Sequence, residues 1–214
     1  MKPFAASTAR AVALALLSAL FAGGAAAQSV AAERAACEKP YKPQSGQEGK
    51  DVVWVPTPDE VVQRMLQMAD VTPADIVYDL GAGDGKIAIA AARLGARAIG
   101  IEFNPDMVRL AQCFVNAEGL AGKVRIERGD VFAADFREAT VVTMYLLPEL
   151  NLRLIPKLLK DLKPGTRIVS HAFDMGGWQP EQKAKVASKD VYRWTIPAPG
   201  TKAYAAAMAA ARQQ

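Results

Sequence analysis

An α/β fold, a mostly parallel sheet with helices on both of its faces, is predicted by three observations on the 214-residue sequence. Short apolar runs alternate with amphipathic stretches from about residue 58 to residue 171, the pattern of a sheet wrapped by helices. One of these runs, Ile76, Val77, Tyr78 and Asp79, feeds the turn Gly81, Ala82, Gly83, Asp84 and Gly85, and an alanine-rich helical stretch follows at once. The next run, Ala98, Ile99, Gly100 and Ile101, closes on an acid, Glu102. Strand, glycine loop, helix and strand form a β-α-β unit, half of a Rossmann-like nucleotide-binding fold.

The elements follow in order. The spacing of Val61, Val62, Met65 and Leu66 predicts a helix over 58–68. Then come strand 76–79, helix 85–94, strand 97–102, helix 105–118, strands 123–128 and 140–145, helix 149–161, and strand 166–171 entered through Lys163-Pro164-Gly165. Asp190 to Pro197 alternates as a sixth strand. Only Gly200 to Tyr204 and an alanine-rich stretch come after Pro199, so the C-terminal edge strand is expected to be incomplete or replaced by a short helix.

The domain proper spans 51–198, with an extended polar leader at 28–50 and a tail at 199–214. The first 27 residues read as a secretory signal peptide. Lys2 and Arg10 precede the apolar run Ala11 to Ala22, and Ala25-Ala26-Ala27 before Gln28 is a small-residue cleavage site. Export to the periplasm or to a membrane is therefore expected; the run falls short of the roughly 20 residues that span a bilayer, and an uncleaved membrane anchor is the alternative. Cleavage lowers Lys+Arg from 26 to 24 against 22 Asp+Glu, and the net charge from +4 to +2. That modest charge, with no basic run interleaved with aromatics, disfavours nucleic acid as a partner.

The loop also restricts the ligand. Gly lets the backbone approach a ligand closely, and an acid about 20 residues beyond the loop is placed for ribose hydroxyls. Dinucleotide sites prefer G-x-G-x-x-G around a pyrophosphate, whereas this loop is G-x-G-x-G and is flanked by Asp79 and Asp84. Carboxylates suit an ammonium or a hydroxyl better than a pyrophosphate. A ligand with a ribose, an ammonium and no phosphate fits, and S-adenosylmethionine is one.

On these residues the chain resembles the class I S-adenosylmethionine-dependent methyltransferases from about Asp51 to Ala198. The resemblance implies that Asp79, Gly81, Ala82, Gly83 and Gly85 grip the methionine part and that Glu102 holds the ribose. Asp130, after the run Arg125-Ile126-Glu127-Arg128, stands where that family faces the adenine amino group. A narrower block, Val55-Pro56-Thr57-Pro58 followed by Val61-Val62 and Met65-Leu66, is similar to the protein-lysine methyltransferases of ATP synthase subunit c and of the adenine nucleotide translocase, and to their bacterial relatives. The Asn-Pro-Pro-Tyr block of base-modifying methyltransferases is replaced by Tyr145-Leu146-Leu147-Pro148.

Methyl transfer needs orientation and a deprotonated acceptor, so the acceptor side is sought at the carboxyl ends of the strands. Tyr145 is the candidate wall of an acceptor channel, with a core aromatic as its alternative. Thr57, fixed between two prolines, is a candidate ligand of cofactor or acceptor, or a rigid entry to the first helix. His171 is a candidate general base or a structural histidine, and Trp178 a candidate for closing the channel. Cys37 and Cys113 are the only cysteines; Cys113 lies on the apolar face Leu110 to Phe114, which favours a buried free thiol over a bridge. With one histidine and two cysteines no metal site is expected. The acceptor is a protein lysine or a small molecule, and a monomer is expected. A non-catalytic exported module on the same fold is the third reading, because S-adenosylmethionine is made where an exported protein is not.

Overall fold

The computed structural model describes residues 27–212, so the predicted signal segment, apart from its last residue, lies outside the described residues. Seven strands form one sheet: β3 (Ile76–Leu80), β4 (Arg97–Glu102), β5 (Val124–Arg128), β6 (Val141–Met144), β7 (Arg167–His171), β8 (Gln182–Val186) and β9 (Lys189–Thr195). Their order is β5-β4-β3-β6-β7-β9-β8; the first five run parallel, β9 pairs antiparallel with β7, and β8 pairs antiparallel with β9, so that β9 alone is reversed. The chain order reverses between β4 and β6 on either side of β3, and open α/β sheets place ligands at such a switch point.

Helices α2 (Asp59–Met68), α3 (Lys86–Arg93) and α4 (Pro105–Ala117) cover one face, and α5 (Pro148–Asp161) and α6 (Lys202–Ala210) the other. Strand β3 is buried on both sides: Val77 packs with the first group, and Tyr78 and Leu80 pack with the second. Its period of two then points Asp79 to the same side as Val77, toward α2 and α3. The start of α4 is fixed by Asn104, whose side chain accepts from the amides of Asp106 and Met107, and by Pro105 in the first turn.

The structure corrects three expectations. The leader is not extended throughout: residues 27–37 form a helix, α1, and a short hairpin follows with strands β1 (Gln47–Glu48) and β2 (Val53–Trp54). Cys37 and Cys113 are joined in a disulfide, because α1 docks on α4 and brings together two cysteines 76 residues apart. The edge of the sheet is complete. Strand β8, Gln-Lys-Ala-Lys-Val, is mostly exposed and polar, as a solvated edge strand should be, and so carries little apolar signal. The short helix offered as an alternative for the tail is present in addition to the edge strand, and α6 buries Ala207 and Ala210 beside α5.

Trp194 anchors the second core, fully buried, with its Nε1 donating to the Trp178 carbonyl at 2.8 Å. Trp194→Ala is expected to cost about 3–5 kcal/mol of stability, read as a lower midpoint in urea unfolding with a native-like slope.

Candidate active site

The carboxyl ends of β3, β4, β5 and β6 open into a cavity of about 240 Å³. Its floor is the turn after β3. Gly83 has φ +56, and a Cβ there would meet the indole Nε1 of Trp54 at 2.7 Å, so only glycine leaves the space free. Gly81 is similarly tight against Leu146. Gly85 has a different role from the one expected: it does not line the cavity, and its Cβ position faces Ala111 of α4 and Ile126, so it is needed for helix packing.

Three of the acids that line the cavity, Asp79, Glu102 and Asp130, stand at or just beyond the ends of β3, β4 and β5. Asp79 is 2% exposed and accepts a hydrogen bond from the Thr143 hydroxyl at 2.7 Å, with no described cation paired to it. Burial is the main cause that pushes its carboxyl up to about 7; the nearby charges of Asp84 and Glu102 add to the shift, and the Thr143 bond opposes it. Glu102 accepts from the amides of Gly83 at 2.9 Å and Asn104 at 2.8 Å, which fixes the carboxylate and leaves lone pairs for further donors. Asp130 accepts from the Phe132 amide at 2.9 Å and from the Lys50 ammonium at 2.5 Å, and these bonds hold its carboxyl below the usual range.

The arrangement fits S-adenosylmethionine. A buried carboxylate without a cation provides the countercharge for an ammonium, the glycine turn provides a cradle that a Cβ would fill, and Glu102 and Asp130 stand farther along the same cavity. Burying Asp79 as an anion is unfavourable until a cation arrives. Cofactor affinity is therefore expected to rise with pH, by up to about tenfold per unit below 7, and to level off above it. An Asp79→Asn variant should show a flat profile by calorimetry. The same shift has the opposite sign for the free protein. The folded state binds a proton that the unfolded state has released, so stability falls as pH rises from about 4 to about 7.

The acceptor candidates lie together at one end. Thr57 and Tyr145 line the cavity; His171 does not, being 1% exposed behind them. Its Nδ1 is 3.1 Å from the Thr57 hydroxyl, and its ring centroid is 3.9 Å from that of Tyr145. Burial and the charge of Lys189 lower the imidazole to about 4, so the ring is neutral at working pH. That suits a side chain holding Thr57 and Tyr145 in place rather than a base, whose pKa should lie near the operating pH. Trp178 does not close the channel: it packs in the core against Trp194.

Sequence reasoning missed Phe173, whose ring stacks 6.1 Å from Tyr145 and lines the cavity. It is placed there by a three-residue turn, in which the Phe173 amide donates to the His171 carbonyl and Ala172 takes φ +65. Buried Asn151 and Ser170 pin that turn by donating to the Phe173 carbonyl. Lys50, Trp54 and Lys86 also line the cavity and were missed. No local pattern marks Lys50 and Trp54, because their places depend on the leader folding back, whereas Lys86 is placed by the glycine turn that it directly follows.

A Rossmann-like sheet with acids at the tips of its central strands and a glycine cradle at the switch point defines a class I S-adenosylmethionine-dependent methyltransferase. Comparison with known proteins agrees. The pattern described as "ANTKMT methyltransferase domain" matches residues 79–182, and one described as "DNA methylase" matches 38–113. A protein-lysine N-methyltransferase of Saccharolobus islandicus is 50% identical over 137 residues, covering 63% of this chain and 85% of that protein. An RNA methyltransferase of Salinibacter ruber, solved with S-adenosyl-L-homocysteine, is 52% identical with a TM-score of 0.68, covering 69% of this chain and 97% of that one. The mouse adenine nucleotide translocase lysine N-methyltransferase is 36% identical over 120 residues, 56% of this chain, and the chain spans only 52% of that protein's length. The chain belongs to the class I S-adenosylmethionine-dependent methyltransferases, its residues 79–182 resemble the ANTKMT methyltransferase domain, and its cofactor is S-adenosylmethionine.

Proposed function

We propose that the enzyme methylates a lysine side chain of a protein. The observation that carries this reading is the acceptor end of the cavity, where Tyr145 and Phe173 form an aromatic wall beside Thr57. When bound, S-adenosylmethionine supplies an electrophilic methyl group. The work of the chain is to present an amine that has lost its proton. An aromatic, water-poor wall disfavours the ammonium form and so lowers the amine's pKa. Tyr145, itself raised above its ordinary value by burial, stays a neutral phenol there. His171, Thr57 and the turn at Ala172 keep the wall in place.

The mouth supports a protein acceptor as well. Val53, Val55, Phe103 and Leu147, four of the large apolar side chains exposed on the described surface, belong to segments that line the cavity. An apolar rim of this kind suits a macromolecular surface more than a small free metabolite. The names of the Saccharolobus and mouse relatives point to lysine, and that of the Salinibacter relative points to RNA. Incubating the enzyme with tritiated S-adenosylmethionine and separate protein, RNA and small-molecule fractions decides among them. Label recovered as methyl-lysine is expected; label confined to RNA or to small molecules would replace this reading.

Export of the mature protein is part of the same proposal. The start of the sequence has the charge and apolar order of a signal segment, and the Cys37–Cys113 disulfide is the kind of bond that persists in oxidising compartments. Mass spectrometry of the N-terminus should find a chain that starts at Gln28; an intact Met1 in a soluble cytoplasmic fraction would refute export.

A further inference from the structure

The leader does more than precede the domain, since residues 47–57 line the cofactor cavity as a continuous stretch. Two of its side chains lie over the parts of the cavity assigned to the cofactor. The Lys50 ammonium is bonded to Asp130 and lies 4.8 Å from the centre of the Phe103 ring, next to Glu102. The Trp54 indole lies on Gly83, as the 2.7 Å approach to its Cβ position shows. The hairpin that carries them has two residues in each strand, too few to hold its shape unaided.

The hairpin is held from its two ends. Downstream it runs through Pro56-Thr57-Pro58 into α2, where the Lys86 ammonium donates to the Thr57 carbonyl at 3.1 Å. Upstream it is tied to α4 by the Cys37–Cys113 disulfide, by the Arg34–Glu118 ion pair at 2.7 Å, and by the Arg34 guanidinium 3.8 Å above the Phe114 ring. Helix α4 also borders the cavity through Met107. The covalent bond therefore fixes the leader to a wall of the site it covers.

We propose that the leader is a strap over the cofactor, that Lys50 and Trp54 on it are cofactor-retaining residues, and that closure of the strap depends on the Cys37–Cys113 disulfide. The Lys50–Asp130 pair cannot keep the strap shut alone, because its side chains are about one third exposed and such pairs contribute little. Tied at both ends, the strap closes as an intramolecular event at high effective concentration. With the upstream tie cut, more open conformations become accessible, and the apparent dissociation constant rises as the reciprocal of the closed fraction. Arg34 and Glu118 still hold α1 near its seat, so the loss is partial. A closed fraction that drops to about one tenth gives about a tenfold weaker complex.

Calorimetry with S-adenosylhomocysteine as the probe tests this on the full chain. Dithiothreitol opens the bond by thiol exchange: its two thiols give up two protons and two electrons, Cys37 and Cys113 become thiols, and the reagent closes into its own ring disulfide. The reduced protein and a Cys37→Ser variant are each expected to bind about tenfold more weakly than the oxidised protein. Lys50→Met, which leaves the disulfide in place, should weaken binding by a smaller factor, about threefold. Thermal unfolding run alongside shows that the sheet domain stays cooperative, so a weaker complex is not a lost fold. Affinities within twofold among oxidised, reduced and Lys50→Met proteins would overturn the strap and leave the cofactor site standing. No binding by any form would overturn the cofactor site, and the strap with it.

Discussion

Replacing Asp79 by Asn is expected to weaken the binding of S-adenosylmethionine by about 1.5–3 kcal/mol at pH 8, a loss of roughly 10- to 150-fold, as for a hydrogen bond to a charged group. The amide retains an oxygen for the Thr143 hydroxyl and removes only the charge, so the fold should be unharmed. Relief of a buried, unpaired anion should even stabilise the free protein above pH 7. Glu102→Ala should weaken the cofactor by a similar factor for a different reason: it loses the ribose acceptor and frees the amides of Gly83 and Asn104 that shape the turn. Calorimetry on the two variants checks both; affinities unchanged in both would remove the acids from the site.

A second large effect is expected at Tyr145. Tyr145→Ala should lower kcat by about two orders of magnitude, the scale on which small misplacements of an acceptor reduce rate. Affinity for S-adenosylmethionine should change little, because the ring faces Phe173 and His171 rather than Asp79 and Glu102. Tyr145→Phe keeps the ring and should recover most of the rate. If Tyr145→Ala weakened cofactor binding as much as it slowed turnover, the ring would belong to the cofactor side and the acceptor channel would have to be sought elsewhere.

The core of the site was legible in the sequence because its residues are local. Asp79, Gly81, Ala82 and Gly83 lie in one turn, and Glu102 ends the next strand, so a β-α-β reading brings them together without any knowledge of distant contacts. Gly85 was legible as a glycine and misread in role, since the surface it packs on, Ala111, belongs to another helix. Position at the carboxyl ends of strands was enough to find Tyr145 and His171, but not enough to rank them. Only the packing shows that the histidine lies behind the tyrosine, dry and neutral.

What the sequence hid was mostly long-range or polar. The disulfide depends on α1 folding back across α4, and an apolar face around Cys113 looks the same whether the thiol is free or bonded. Strand β8 has alternating lysines and one alanine between them, so its membership in the sheet is decided by hydrogen bonding to β9 and not by its own hydrophobicity. Phe173 reaches the cavity through a left-handed residue, Ala172, which no pattern announces.

A crystal structure of the full chain with S-adenosylhomocysteine tests the central claim most directly. The account predicts the ligand in the cavity at the ends of β3, β4 and β5, with its ammonium at Asp79, its ribose hydroxyls on Glu102 and its adenine beside Asp130, and with the sulfur facing the wall of Tyr145 and Phe173. A ligand bound with its amino acid end away from Asp79, or with its ribose out of reach of Glu102, would contradict it.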